Sequence, residues 1–332
     1  MPVDATPGAA AWFRRLIPIP AAPRARPRPA AGRVEALERL ATLAAADAAI
    51  PEATRSRFLE PSGQALATIV IWHGFTNAPS QFHAVAEQLC AAGYRVLLPR
   101  MPYHGLPDVL NRELSQLTPG QLSDQVDQCI DIAAAFGDPV WVAGLSAGAN
   151  LAGWAAARRA EVRRLVLAAP LAAPVGFPLP LVRLLVRFPR LVGAYWWWDP
   201  RKKAELGHSP YAYPGFPIPG LMPYLHLSEA MIEHSVDVGH RLERVVLTTN
   251  PGDFAIRKDV ARAFAAEVFA PRSDYYAEAL LDPALKWMHD FVDPWSPGAG
   301  STEQVVAILL ACFGAAEDLS AGGVLVPPLP EQ

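Results

Sequence analysis

The stretch Val140-Trp141-Val142-Ala143-Gly144-Leu145-Ser146-Ala147-Gly148-Ala149-Asn150 is an apolar run that ends in Gly-x-Ser-x-Gly and then turns helical. It reads as a strand feeding a helix through a sharp turn with a serine at its apex. Such a serine sits in a sparsely populated backbone region, and the residues two positions away on either side must be nearly side-chain-free to avoid a clash. Gly144 and Gly148 meet that demand. The turn pushes the Ser146 hydroxyl out above the sheet edge. The amide of Ala147, at the start of the next helix, then points to where an oxyanion would form.

The rest of the chain sets the context for that turn. At 332 residues it can hold one long α/β domain with an insertion. A net charge of -3 argues against nucleic acid as a partner, because neutralising phosphates needs a concentrated basic surface. Cys90, Cys129 and Cys312 are odd in number and widely spaced, so neither a disulfide framework nor a zinc site is expected. The apolar stretches are too short or too Pro-broken for the roughly 20 residues of a membrane span. A protein without stable membrane insertion, in the reducing cytoplasm, is the expectation. Proline is abundant, at 34 residues, and is concentrated in two places, the first thirty residues and residues 170–223, where regular sheet is not expected.

In chain order, residues 1–32 are rich in Pro, Ala and Arg and read as a flexible leader. Arg14-Arg15 is followed by Pro18, Pro20 and Pro23 instead of a continuous apolar stretch, so an export signal is not expected. Residues 33–49 carry Val34, Leu37, Leu40, Leu43 and Ala44 at helical spacing. Residues 55–59 and 67–72, separated by Pro61-Ser62-Gly63, look like two strands paired with each other. A helix over 82–92, a strand over 94–99, a helix from Thr118-Pro119 to about 136, the strand 140–144, its helix to about 159 and a strand over 162–169 follow. Residues 171–240 break the alternation: they are rich in Pro, with Trp196-Trp197-Trp198 in their midst, and read as a largely helical cap inserted over the sheet edge. A strand at 244–249, a helix at 259–269, a strand at 274–280 and a helix at 302–313 resume it. The expected organisation is a leader (1–32), a core in two parts (33–170 and 241–332) and a cap (171–240). Its sheet should be mostly parallel and doubly wound.

A serine hydroxyl is a poor nucleophile at neutral pH and needs a base, which in turn needs an acid to orient it. The strand at 244–249 ends in Asn250-Pro251-Gly252-Asp253, which presents Asp253 at the same sheet edge as Ser146. Lys286-Trp287-Met288-His289-Asp290-Phe291-Val292-Asp293-Pro294 puts His289 in a loop after the last strand. Asp253 is the expected acid over Asp237, Asp259 and Asp282, and His289 the expected base over His208, His226, His234 and His240. The order Ser, Asp, His is that of α/β-hydrolases. His73 and His104, in loops near the site, are read as loop-fixing residues rather than proton carriers.

These segments, with His73-Gly74-Phe75-Thr76-Asn77, resemble bacterial α/β-hydrolases of the carboxylesterase and monoacylglycerol-lipase-like group over about residues 67–294. The resemblance implies that the amides of Phe75 and Ala147 form the oxyanion hole and that the lid lies between the strand after the elbow and the acid-bearing strand. It also implies a small-molecule ester, short to medium acyl or monoacylglycerol-like, cleaved through an acyl-serine without metal or organic cofactor. Amidase, thioesterase, lactonase and acyltransferase chemistries use the same machinery and stay open, as does a noncatalytic binding protein of this fold. Haloalkane dehalogenases and epoxide hydrolases carry an aspartate where this chain has Ser146. Trp196, Trp197, Trp198 and Leu145 are candidates to line an acyl pocket, with packing inside the cap as the other reading of the tryptophans. The oligomeric state is left unassigned.

Overall fold

The computed structural model describes residues 16–197, 211–233, 242–296 and 298–315, with the backbone of 324–325. Its elements in chain order are α1 (Arg33–Ala46), β1 (Arg57–Leu59), β2 (Thr68–Trp72), α2 (His83–Ala91), β3 (Arg95–Leu98), α3 (Pro119–Ala134), β4 (Val140–Leu145), α4 (Ala147–Arg158) and β5 (Val162–Ala168). After these come α5 (Leu179–Arg187), β6 (Tyr195–Trp197), β7 (Gly215–Pro217), α6 (Met222–Glu233), β8 (Arg244–Thr249), α7 (Lys258–Phe269), β9 (Tyr276–Leu281), α8 (Thr302–Phe313) and β10 (Val324–Leu325).

The main sheet runs β1-β3-β2-β4-β5-β8-β9-β10. All neighbours from β3 to β9 are parallel, and the edge strands β1 and β10 are antiparallel. Strands β2 and β4 are buried along their whole length, as strands with helices on both faces must be. Nearer the edge, β9 alternates buried and half-buried residues. The chain builds β3 on one side of β2 and then returns to place β4 on the other. Their carboxyl ends therefore flank the point where strand order reverses, which is where open α/β sheets bind ligands. Local signals set the helix starts. Thr118 and Gln121 form a capping box ahead of α3 with Pro119 at its first position, and Ser301 and Gln304 do the same for α8. Among the described residues no helix is long and apolar enough to cross a membrane.

Three expectations need correction. The strands expected to pair with each other do not: β1 lies antiparallel on β3, with Phe58 opposite Leu97, and β2 is inside the sheet between β3 and β4. A five-residue strand buried on both faces must have a partner on each side, while the half-buried three-residue β1 suits an edge. The segment 171–240 is also not purely helical, since β6 and β7 form a two-stranded antiparallel ribbon between α5 and α6.

The third correction concerns the leader, of which residues 1–15 lie outside the described residues and 16–32 are bound to the domain. The Ile17 carbonyl accepts from Nε and Nη2 of Arg183 on α5, at 3.1 and 2.8 Å. The Pro20 carbonyl is 2.9 Å from Nε2 of His226 on α6. Further along, the Arg26 and Arg28 amides donate to Asp127 and Asp131 of α3, at 2.5 and 2.6 Å. Arg159 pairs with the same two carboxylates from the other side. A segment too polar and Pro-rich to form its own core is held by carbonyls and amides that no sheet or helix uses.

Candidate active site

Ser146 has φ 57° and ψ -115°, a strained conformation for a residue with a side chain. Its amide donates to the Ala168 carbonyl at the end of β5 (2.8 Å), and its own carbonyl accepts from Leu171 (3.3 Å), so the end of β5 and the segment that follows it hold the turn. A Cβ at Gly144 would lie under 3.0 Å from the Gly148 backbone. One at Gly148 would lie under 3.0 Å from the Trp72 and His73 carbonyls. The two glycines of the motif are thus required by backbone contact. Ser146 is buried, and among the described residues its hydroxyl has no hydrogen-bond partner.

Asp253 follows β8 and is joined to His289, whose Nδ1 donates to Oδ2 at 2.7 Å. The other oxygen of Asp253 accepts from the amides of Ala255 (2.8 Å) and Ile256 (3.3 Å). Burial works against the charge of this carboxylate. The hydrogen bond and charge of His289 and the two amides outweigh it and hold the group below the usual carboxylate range. With its proton on Nδ1, the imidazole keeps a lone pair on Nε2. The rival acids lie elsewhere: Asp259 is an exposed partner of Arg257, and Asp282 caps a short turn through the Ala284 amide. His226 is buried under residue 20, while Asp237, His208, His234 and His240 lie outside the described residues.

The loop after β2 is fastened from three directions. His73 accepts the Met101 amide at Nε2 (3.1 Å) and donates from Nδ1 to the Gly74 carbonyl (2.9 Å). Burial, and then the nearby His104, push it well below the usual histidine value. Both ring nitrogens are used inside the fold, which is a loop-fixing arrangement. From the insertion, the Tyr213 amide donates to the carbonyl of Thr76, itself at φ 65° (2.7 Å). From the loop after β9, Asn77 and Gln81 meet Asp290 and Asp293. Neither the Phe75 nor the Ala147 amide has a hydrogen-bond partner among the described residues.

Sequence reasoning missed the aromatic side chains that pack on Phe75. They are His104, Phe216 on β7 (4.8 Å between ring centroids) and Tyr224 on α6 (5.4 Å). The tryptophan run drew attention instead. Trp196 is half exposed and sits edge-on to Phe177, Trp197 packs on Tyr195, and Trp198 lies outside the described residues. Leu145 is buried at the end of β4. A polar residue, Asn150, was also missed: from α4 it donates to the carbonyls of Leu171 and Tyr224 and to Ser228, joining the helix behind Ser146 to α6.

A mostly parallel sheet with helices on both faces, a strained serine between β4 and α4, and an insertion after β5 define an α/β-hydrolase-fold protein. Residues 63–210 match the hydrolase family described as serine aminopeptidase, S33. That match takes in the β2 loop and Ser146 and ends before Asp253 and His289. Among solved structures, a metagenome-derived lipolytic enzyme of the LipS and LipT pair is similar, with a TM-score of 0.58 at 18% identity over 80% of this chain and 100% of that one. The monoacylglycerol lipase of Paleococcus ferrophilus has a TM-score of 0.55 at 16% identity over 77% and 98%. The monoglyceride lipase of Saccharomyces cerevisiae has 0.55 at 11% over 79% and 91%. No curated protein sequence matches the chain.

Proposed function

We propose that this protein is a serine hydrolase that cleaves carboxylic esters through an acyl-serine, with Ser146 as nucleophile, His289 as base and Asp253 as orienting acid. The observation that carries this reading is the 2.7 Å contact of His289 Nδ1 with Asp253, on the sheet edge that also bears the strained Ser146. His289 Nε2 takes the proton of Ser146 as the hydroxyl attacks the ester carbonyl. The amides of Phe75 and Ala147 receive the developing oxyanion. His289 passes the proton to the departing alcohol and then activates water for release of the acid. The Ser146–His289 hydrogen bond closes when substrate is bound, as such bonds often do. The lipolytic neighbours favour acyl esters, and the rings of Phe216 and Tyr224 packed on Phe75 give the proposed oxyanion loop aromatic surroundings. The insertion between β5 and β8 serves as the lid in this reading.

The test is a p-nitrophenyl ester panel from acetate to palmitate, run beside Ser146→Ala. Turnover by the wild-type chain with a loss of about 10⁴-fold in the variant is the expected result. An inactive wild-type chain that still takes a fluorophosphonate on Ser146 moves the reading to amides, thioesters or lactones. The family description gives peptide amides priority there. Absence of labelling on Ser146 rejects the acyl-serine reading.

A further inference from the structure

Asp290 follows the candidate base directly, yet its carboxylate faces the other side of the site. Its Oδ2 accepts from Gln81 Nε2 (2.8 Å) and Asn77 Nδ2 (3.3 Å), and its Oδ1 from the amides of Val292 (3.3 Å) and Asp293 (3.0 Å). Gln81 does not end there, because its Oε1 accepts the Gly74 amide at 2.7 Å. Asn77 is held in the same way, with Nδ2 also donating to Asp293 (3.0 Å) and Oδ1 accepting the Ala78 amide (2.8 Å). A continuous relay thus runs from the backbone at Gly74, one residue before Phe75, through Gln81 to the residue after His289.

We propose that Asp290 is a positioning residue that sets the Phe75 amide and the His289 ring in one register by tying residues 74–78 to the turn that carries the base. The inference rests on the acyl-serine reading above. An oxyanion donor and a base come from opposite ends of the chain here, 214 positions apart by residue number, 75 against 289. Each sits on a loop, and misplacing such a group by about 1 Å costs on the order of 100-fold in rate. Four N–H groups converge on Asp290, so only an acceptor-only side chain satisfies them all. Loss of water around the carboxyl, and then the neighbouring Asp293, push it above the usual carboxylate range, which the chain tolerates because those donors stabilise the ion.

Reversing the polarity of the relay tests the proposal. Asp290→Asn sets an amide N–H against the N–H groups of Gln81 and, at the longer 3.3 Å, Asn77, which keeps Asp293 as its nearer acceptor at 3.0 Å; Gln81→Glu sets two carboxylates together. In Gln81→Glu/Asp290→Asn, the glutamate accepts from the new asparagine on one oxygen and from Gly74 on the other. Turnover of p-nitrophenyl butyrate is measured per site labelled by a fluorophosphonate, so unfolded protein drops out. Each single variant is expected to lower kcat about 10- to 100-fold with KM within about twofold, to slow labelling in parallel, and to be largely rescued in the double variant. Single variants with wild-type kcat and labelling rate, or a double variant no better than the worse single one, overturn the proposal while leaving the triad reading in place. A wild-type chain that does not label at Ser146 removes the reading and the proposal with it.

Discussion

His289 and Asp253 meet at 2.7 Å although 36 positions of chain separate them, and the side chain of Asp253 has no exposed surface while that of His289 keeps 19%. A fully enclosed carboxylate behind a partly open imidazole commits one ring nitrogen to Asp253, the arrangement the proposed base requires. Asp253→Asn keeps the shape but reverses one hydrogen bond and favours the wrong tautomer. Its kcat on p-nitrophenyl butyrate is expected to fall by about 10⁴-fold with Tm near that of the wild type. A loss below tenfold would mean that another group orients His289.

Gly148→Ala is expected to destabilise the protein by about 1–3 kcal/mol or prevent folding, because its Cβ has no space against the Trp72 carbonyl. Gly74→Ala is the matched control. Its Cβ meets only ordinary contacts at 3.5 Å, and Gly74 has no positive φ, so urea unfolding should show little change.

The buried neighbours His73 and His104 make stability depend on pH. Burial pushes His104 down to about 4, and His73 well below its usual value. In the range from about 6.5 down to about 4 the unfolded chain binds protons that the native chain refuses, so stability is full above about 6.5 and lost as pH falls. For His104 the loss approaches about 3 kcal/mol. Urea midpoints between pH 4 and 7 should show this slope, and His104→Phe should flatten it.

Arg183 on α5 is buried between Glu229 and Glu233 of α6 and donates to the Ile17 carbonyl. Arg183→Ala removes the guanidinium from buried Glu229 and releases the Ile17 carbonyl. A loss of about 3–5 kcal/mol is expected, with faster proteolytic cleavage of the N-terminal segment. Removing residues 1–28 should lower Tm in the same direction, because Asp127 and Asp131 lose the Arg26 and Arg28 amides.

The legible part of the site was the part written in neighbouring residues. Gly144, Ser146 and Gly148 announce their turn because its geometry excludes side chains at two positions within one five-residue window. His73 was readable as a loop-fixing residue from its place after a buried strand. Phe216 and Tyr224 were not legible, because each matters only through what it meets across the fold; Asp290 stands beside His289 in a segment already singled out, but its contact with Gln81 is made across the fold and left no local signal. Trp196 drew attention by composition, yet it is half exposed, while Phe216, opposite it in the ribbon, reaches Phe75.

By itself, the sequence determined the alternation of buried strands and helices, the sharp turn at Ser146 and the chain order of Ser146, Asp253 and His289. Those are properties of local periodicity and backbone sterics, which act over a few residues. Tertiary structure decided that β1 flanks β3 instead of β2, that residues 16–32 bind across α3, α5 and α6, and that Asp290 joins the two loops of the site. Each depends on which buried strand lacked a neighbour or which buried carboxylate lacked a donor. Such vacancies exist only after the sheet has closed and its helices have packed.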